Sequence, residues 1–343
     1  MKFTTGLTLR QIRRGGFLLL LLWMVSLTAA CSSVGGTNDG MNDRINEDAT
    51  LEQQPEASAT PVEEPVTREV EHAGGMTTIV GEPQNIAVLD YRLSDTLLAL
   101  GIMPHAMGTY RGSTDLPYID GEPFADVIPL GDTVNLEALI ESDPDLIIGR
   151  ATDSMEDLQK IASTIIAPKP DDWREGLREM GVYLDREAEA KAWLADFDQQ
   201  ATQLAKEIHE HIEPDATFLY LRVMAKEIRV HGPDQALAQT LFGELGLQPV
   251  AGLENVQRIE AISAESLPDF DADYIFMEVG APAAEGDNEA RDNLKNLQDL
   301  QIWQGLKAVQ HDRLYEVPQW VISDYPHIKL KSLEVIREAL LPQ

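Results

Sequence analysis

Four arginines stand where a ligand could use them. Arg92 follows NIAVLDY, Arg111 follows HAMGTY and Arg150 follows PDLIIG, three short apolar runs of strand character. Arg222 interrupts the apolar run FLYLRV, where an unpaired cation is costly to bury, and Lys226 sits in the turn after it. The chain carries 27 Lys+Arg against 58 Asp+Glu, a net charge of −31, so cations at strand ends are scarce and informative. Aromatic residues accompany them. Tyr91 adjoins Arg92, Trp173 lies in APKPDDWREG after the extended run TIIAP, and Trp320 lies in VPQWVISDYP after DRLYEVP. Guanidinium groups and aromatic faces bind and orient an anionic or planar ligand. The alternative for each arginine is a surface or paired side chain, and for each tryptophan ordinary core packing.

Other chemistries find little support. There is no GxSxG elbow, no GxxxxGK[ST] phosphate loop, no HExxH and no CxxC. Asp269, Asp271 and Asp273 read as polar loop residues in DFDAD. His209 and His211 are two apart on a helical stretch and diverge, so they make no metal pair. His327, in SDYPHIK, reads as a surface or helix-start residue. No enzyme, resident metal or cofactor is expected. So acidic a chain also excludes nucleic acid as partner, since phosphate binding needs clustered cations.

The elements that would position these residues alternate. NIAVLD (85–90), HAMGTY (105–110), ADVIPLG (125–131), PDLIIG (144–149) and TIIAP (164–168) read as strands. YRLSDTLLALGI (91–102), NLEALIESD (135–143) and EDLQKIAS (156–163) read as helices between them. Such alternation predicts a parallel sheet with helices on both faces and a ligand beyond the carboxyl ends of its strands. Residues 186–212 hold no Gly or Pro, and Ala190, Trp193, Leu194, Phe197, Ala201, Leu204 and Ile208 recur at helical spacing. They predict one helix of about 40 Å. A second alternating block follows: TFLYLRV, EIRVHG, QALAQTLFGELG, ADYIFMEV, DRLYEVP and the closing helix IKLKSLEVIREALL. The expectation is an α/β protein of two Rossmann-like lobes, 76–185 and 213–343, joined by one rigid helix over 186–212 with a cleft between the lobes. No short-period repeat is evident.

The amino terminus reads as an export and tethering device. Lys2, Arg10, Arg13 and Arg14 precede the apolar run FLLLLLWMVSLTAA, too short to span a bilayer. Cys31, the single cysteine of the chain, follows at once, and a lone exported cysteine has no disulfide partner. LTAAC resembles a lipobox, with Thr28 standing where Leu is usual. Residues 1–30 are therefore expected to be a lipoprotein signal peptide and Cys31 the acylated residue. From there to residue 75 an acidic tether is expected, unable to bury enough apolar surface to order itself. As a flexible chain, residues 32–68 alone reach about 30–35 Å. The acyl group would be the membrane contact, at the extracytoplasmic face.

Lipobox, acidic tether, GGMTTIVGEPQNIAVLD, NLEALIESDPDLIIG, a long helix and ISAESLPDFDADYIF fall in one order. In that order the chain, over about residues 68–343, resembles the substrate-binding lipoproteins of iron–siderophore ABC importers, a class with cobalamin- and haem-binding members. The resemblance implies a rigid two-lobed monomer that changes little on binding. It implies a ferric siderophore as ligand, with iron held by the siderophore. Ligand contacts would come from Tyr91, Arg92, Arg111, Arg150, Trp173, Arg222, Lys226 and Trp320, the two tryptophans sandwiching a planar group. It implies ABC permease subunits as partners, docked through Glu137 in NLE and Glu265 in SAES. Both glutamates equally suit the first turn of a helix. The mixture of Arg and Trp leans towards a carboxylate or catecholate complex. Haem, with Met224 or Tyr91 as ligand, cobalamin, and a non-transport envelope lipoprotein are the alternatives.

Overall fold

A computed structural model describes residues 66–342 except 122, 152–153 and 281–286. The leader, Cys31 and the tether up to residue 65 lie outside the described residues. The strands are β1 (Thr67–His72), β2 (Gly75–Val80), β3 (Ile86–Val88), β4 (Ala106–Gly108), β5 (Ile128–Gly131), β6 (Leu146–Gly149) and β7 (Ser163–Ile166). They continue as β8 (Thr217–Val223), β9 (Ile228–His231), β10 (Gln248–Pro249), β11 (Ile259–Ile262), β12 (Tyr274–Val279) and β13 (Leu314–Val317). The helices used below are α1 (Tyr91–Ala99), α2 (Leu136–Glu141), α3 (Met155–Leu158), α4 (Trp173–Leu184) and α5 (Glu187–His211). After them come α6 (Ala236–Gln239), α7 (Asp287–Gln298), α8 (Gln301–Gln304), α9 (Lys307–Gln310) and α10 (Pro326–Leu340).

The amino-terminal lobe is the parallel sheet β5-β4-β3-β6-β7. Chain order reverses between β3 and β6, so their carboxyl ends flank the crevice where α/β sheets bind ligands. The carboxy-terminal sheet runs β11-β9-β8-β12-β13, with β10 beside β8. Within it β9 is antiparallel to both β8 and β11, so β8 and β9 form a hairpin with Lys226 in its turn. Only the turn from Met224 to Glu227 joins β8 to β9, too short for a crossover to a parallel neighbour.

α5 joins the lobes, about 37 Å long over 25 residues. Its buried Ala190, Leu194, Phe197, Ala201, Leu204 and Ile208 match the expected spacing. That stripe belongs to one continuous apolar core. It reaches from Val88, Leu93 and Leu97 of the first lobe to Phe218, Tyr220 and Phe276 of the second. Each lobe has a further core on its outer sheet face. Ala87, Leu130, Leu139 and Ile147 build one; Leu219, Leu221, Ile275 and Met277 build the other.

The folded body begins earlier than residue 76. β1 and β2 pair in antiparallel register, closed by the residues between His72 and Gly75, with Val70 and Ile79 buried. The hairpin lies along β7, the outermost strand of its sheet. Thr77 Oγ1 donates to Thr164 O at 2.7 Å, Ser163 Oγ to Thr78 O at 2.9 Å, and the Ile166 amide to His72 Nδ1 at 3.1 Å. Polar composition argued for tether here. The period-two alternation of TREVEH and GMTTIV outweighs it, because each strand buries one face.

Candidate functional site

β3 delivers the chain to Asp90, the N-cap of α1. Asp90 Oδ1 accepts from the Arg92 amide at 3.0 Å and Arg92 Nε at 2.8 Å. Its Oδ2 accepts from Arg92 Nη2 and, across the crevice, from Arg150 Nη1, both at 2.8 Å. One carboxylate thus fixes both guanidinium groups. Burial pushes its pKa up, but hydrogen bonds and charge from Arg92 and Arg150 outweigh this and hold it below the usual range. The Arg92 guanidinium lies over the Tyr91 ring, 4.9 Å from its centroid, and Tyr91 meets Tyr110 edge-on at 5.0 Å. Tyr118 and Tyr325 are buried and feel the charges of Arg92 and Asp90. Their hydroxyls, and Arg150 Nε, are buried without a hydrogen-bond partner among the described residues. Burial pushes the Tyr325 phenol up to about 12.

β4 delivers Arg111, whose backbone takes a left-handed φ of 52°. The loop is held by Asp132, which accepts from the Gly112 amide at 2.8 Å and from the Thr109 hydroxyl. Arg111 reaches the other lobe. Its Nη2 donates to Gln319 Oε1 at 2.6 Å and Asp287 Oδ2 at 3.2 Å. Gln319 Nε2 in turn donates to Val279 O at 2.7 Å and Asp287 Oδ1 at 3.1 Å. Gly280 makes this meeting possible: at φ 84°, a Cβ there would stand 2.5 Å from Asp287 Oδ1.

In the second lobe Phe218, Tyr220 and Arg222 alternate onto the face of β8 that packs on the shared core, opposite Tyr274, Phe276 and Glu278 of β12. Arg222 Nη2 pairs with Glu278 Oε1 and donates to Gly280 O, both at 3.0 Å. Tyr220 donates to Glu278 Oε2 at 2.6 Å. Burial drives the Glu278 carboxyl up to about 7, against the pull of Arg222 and Tyr220. Beside them His231 is fully buried, 4.8 Å from the Tyr220 ring, and burial lowers it to about 3.

The structure brings together Tyr91, Arg92 and Arg150, joins Arg111 to the opposite lobe, and seats Arg222 in an ion pair. Lys226 is exposed in the β8–β9 turn. Trp173 needs correction. It opens α4 rather than lying in a loop, is 2% exposed, and meets Trp193 and Phe197 of α5 edge-on at 5.8 and 5.0 Å. α5 presents an aromatic surface that a cleft loop would leave uncovered. Trp320 is also buried, against Tyr118 at 5.7 Å, so no exposed tryptophan sandwich forms. Glu137 and Glu265 are exposed in first turns, Glu265 lowered by hydrogen bonds from its own amide and Ser263. Sequence reasoning missed Asp90, Glu278, Asp287, Tyr118 and Tyr325. Asp90 carried an N-cap signal before an apolar-periodic run, and Glu278 breaks an apolar strand just as Arg222 does.

Among the described residues no three His, Cys, Asp or Glu side chains converge as a metal site, and no helix is long and apolar enough to cross a membrane. Two α/β lobes on one helix, with guanidinium groups and phenols gathered between strand ends, define a two-lobed solute receptor rather than an enzyme. The chain belongs to the periplasmic binding protein family, whose model matches residues 86–320. It is 26% identical over 341 residues to the iron(3+)-hydroxamate-binding protein YxeB of Bacillus subtilis, covering 95% of each chain. With the iron(3+)-hydroxamate-binding protein FhuD of the same organism it shares 28% identity over 277 residues, 78% of this chain and 84% of the other. A solved FhuD fold-family periplasmic binding protein of a ferrichrome ABC transporter from Bacillus subtilis superposes with a TM-score of 0.69. It is 26% identical, and the match covers 78% of this chain and 98% of that one. The resemblance to the iron–siderophore class, and the two-lobed fold expected from it, therefore hold.

Proposed function

We propose that this chain is a lipid-anchored extracytoplasmic receptor that captures a ferric siderophore of low net charge, of the trihydroxamate type, and delivers it to an ABC permease. The observation that carries the ligand class is charge compensation. Each arginine expected at the ligand is paired with a carboxylate: Arg92 and Arg150 with Asp90, Arg111 with Asp287, Arg222 with Glu278. A tris-catecholate or citrate complex brings negative charge and would meet those carboxylates as well as the cations. Three hydroxamates neutralise ferric iron, and the neutral complex offers oxygens to the remaining N–H and phenol donors. The two hydroxamate-binding relatives support the same direction, against the lean towards carboxylate or catecholate. Iron stays in the siderophore, and the protein adds no metal ligand.

Cys31 after a short apolar leader supports lipid anchoring, and the exposed Glu137 and Glu265 support docking to arginines of a permease pair. The test is a tryptophan-fluorescence titration of the protein with ferrichrome, ferric citrate, ferric enterobactin, haemin and cobalamin. The expected result is tight binding of ferrichrome, with the anionic complexes weaker by about tenfold or more. Tight binding of haemin or cobalamin alone would overturn the ligand class and leave the fold and transport role. Tight binding of ferric enterobactin alone would return the site to the anionic reading.

A further inference from the structure

Asp90 occupies a position that an anionic ligand would otherwise take. It stands at the crevice between β3 and β6, and its two oxygens accept four N–H bonds from Arg92 and Arg150. The guanidinium groups remain partly open, with side chains 31% and 22% exposed. The carboxylate cannot swing aside cheaply, because the oxygen that holds Arg92 Nε also caps α1 through the Arg92 amide. A ligand entering here therefore meets two cations that already share one negative charge.

We infer that Asp90 is a specificity-determining residue of the cleft. It acts as a built-in counter-anion that orients Arg92 and Arg150 and discriminates against ferric complexes of high negative charge. The inference rests on the receptor reading above and deepens it. A neutral complex uses the outward N–H groups of Arg92 and Arg150 and leaves Asp90 in place. A trianionic complex must either approach Asp90 or displace it, and both weaken binding.

The test compares the full chain with its Asp90→Asn variant, titrated with ferrichrome and ferric enterobactin at one ionic strength. Asparagine still caps the helix and accepts from Arg92 through Oδ1, while an amide NH2 in place of Oδ2 removes the charge and the two bonds that Oδ2 accepts from Arg92 and Arg150. The ratio of ferrichrome affinity to ferric enterobactin affinity is expected to fall about tenfold or more, with ferric enterobactin gaining over ferrichrome beyond any loss the two ligands share. Asp90→Ser, a second capping residue, is expected to shift the ratio the same way. An unchanged ratio in both variants, or equal loss of both ligands, would reduce Asp90 to a structural cap and overturn the inference. Should the unsubstituted chain bind neither complex, the receptor reading fails on its own. Only a gain of ferric enterobactin in Asp90→Asn would then sustain the role of Asp90, and its absence would end it.

Discussion

Arg222 and Glu278 face each other on neighbouring strands, both almost wholly out of water. Arg150 holds its carboxylate near the surface, shared with Arg92. The two arginines should therefore respond differently to removal. Arg150→Ala leaves Asp90 bonded to Arg92. It is expected to weaken ligand binding by about 1–3 kcal/mol with little loss of stability, read by titration and urea unfolding. Arg222→Ala leaves a buried carboxylate unpaired and is expected to lower stability by about 3–5 kcal/mol. Equal stabilities for the two variants would contradict this division. Glu278 also fixes a pH response. Its folded pKa of about 7 lies above the ordinary glutamate value of 4.5, so the folded state binds more protons than the unfolded one between those values. Its contribution to stability falls as pH rises through that window, and Glu278→Gln should remove that slope.

At the scale of elements, α1 and α10 meet through His327 and the fully buried Asp95. The His327 amide and Nδ1 both lie on Asp95 Oδ1, at 2.8 and 2.9 Å. Burial alone would lower the imidazole, but the Asp95 carboxylate raises it. The bond therefore stabilises fully below the ordinary histidine value and fades as pH rises through the raised one. His327→Asn is expected to cost about 1–2 kcal/mol near pH 6 and less near pH 8, in urea unfolding at the two pH values. Element order was legible in the sequence because apolar runs and their periods survive translation into burial: α5 and β8 lie within a residue of expectation. So was the placing of Tyr91, Arg92, Arg111 and Arg150 at strand ends. Pairing was not legible. Which carboxylate meets Arg111 depends on a contact across 176 residues, between Arg111 and Asp287. Trp173 fell to the same gap: an aromatic beside a charged turn looks alike whether it faces a cleft or α5. The hairpin of β1 and β2 was hidden by composition, since one buried residue in two is enough for a strand on a sheet edge.

At the scale of the whole molecule, one apolar core runs through both lobes and α5. Opening the cleft by a wide hinge would expose it, so binding is expected to change small-angle scattering of the protein little. A contraction of several ångströms in radius of gyration on adding ligand would contradict this. Docking is separable from binding: Glu137→Ala together with Glu265→Ala should abolish iron uptake by cells and leave ligand affinity unchanged. Loss of affinity would move those residues out of the docking role. The hairpin along β7 has its own consequence. An outermost strand offers a row of open N–H and C=O groups to any other chain. Here side chains of His72 and Thr77, rather than a continuous backbone ladder, stop that row. This hairpin, whose first strand falls within the expected tether, is thus a guard against sticking to neighbours. A protein begun at Met76 should self-associate in light scattering, while one begun at Val62 should remain a monomer.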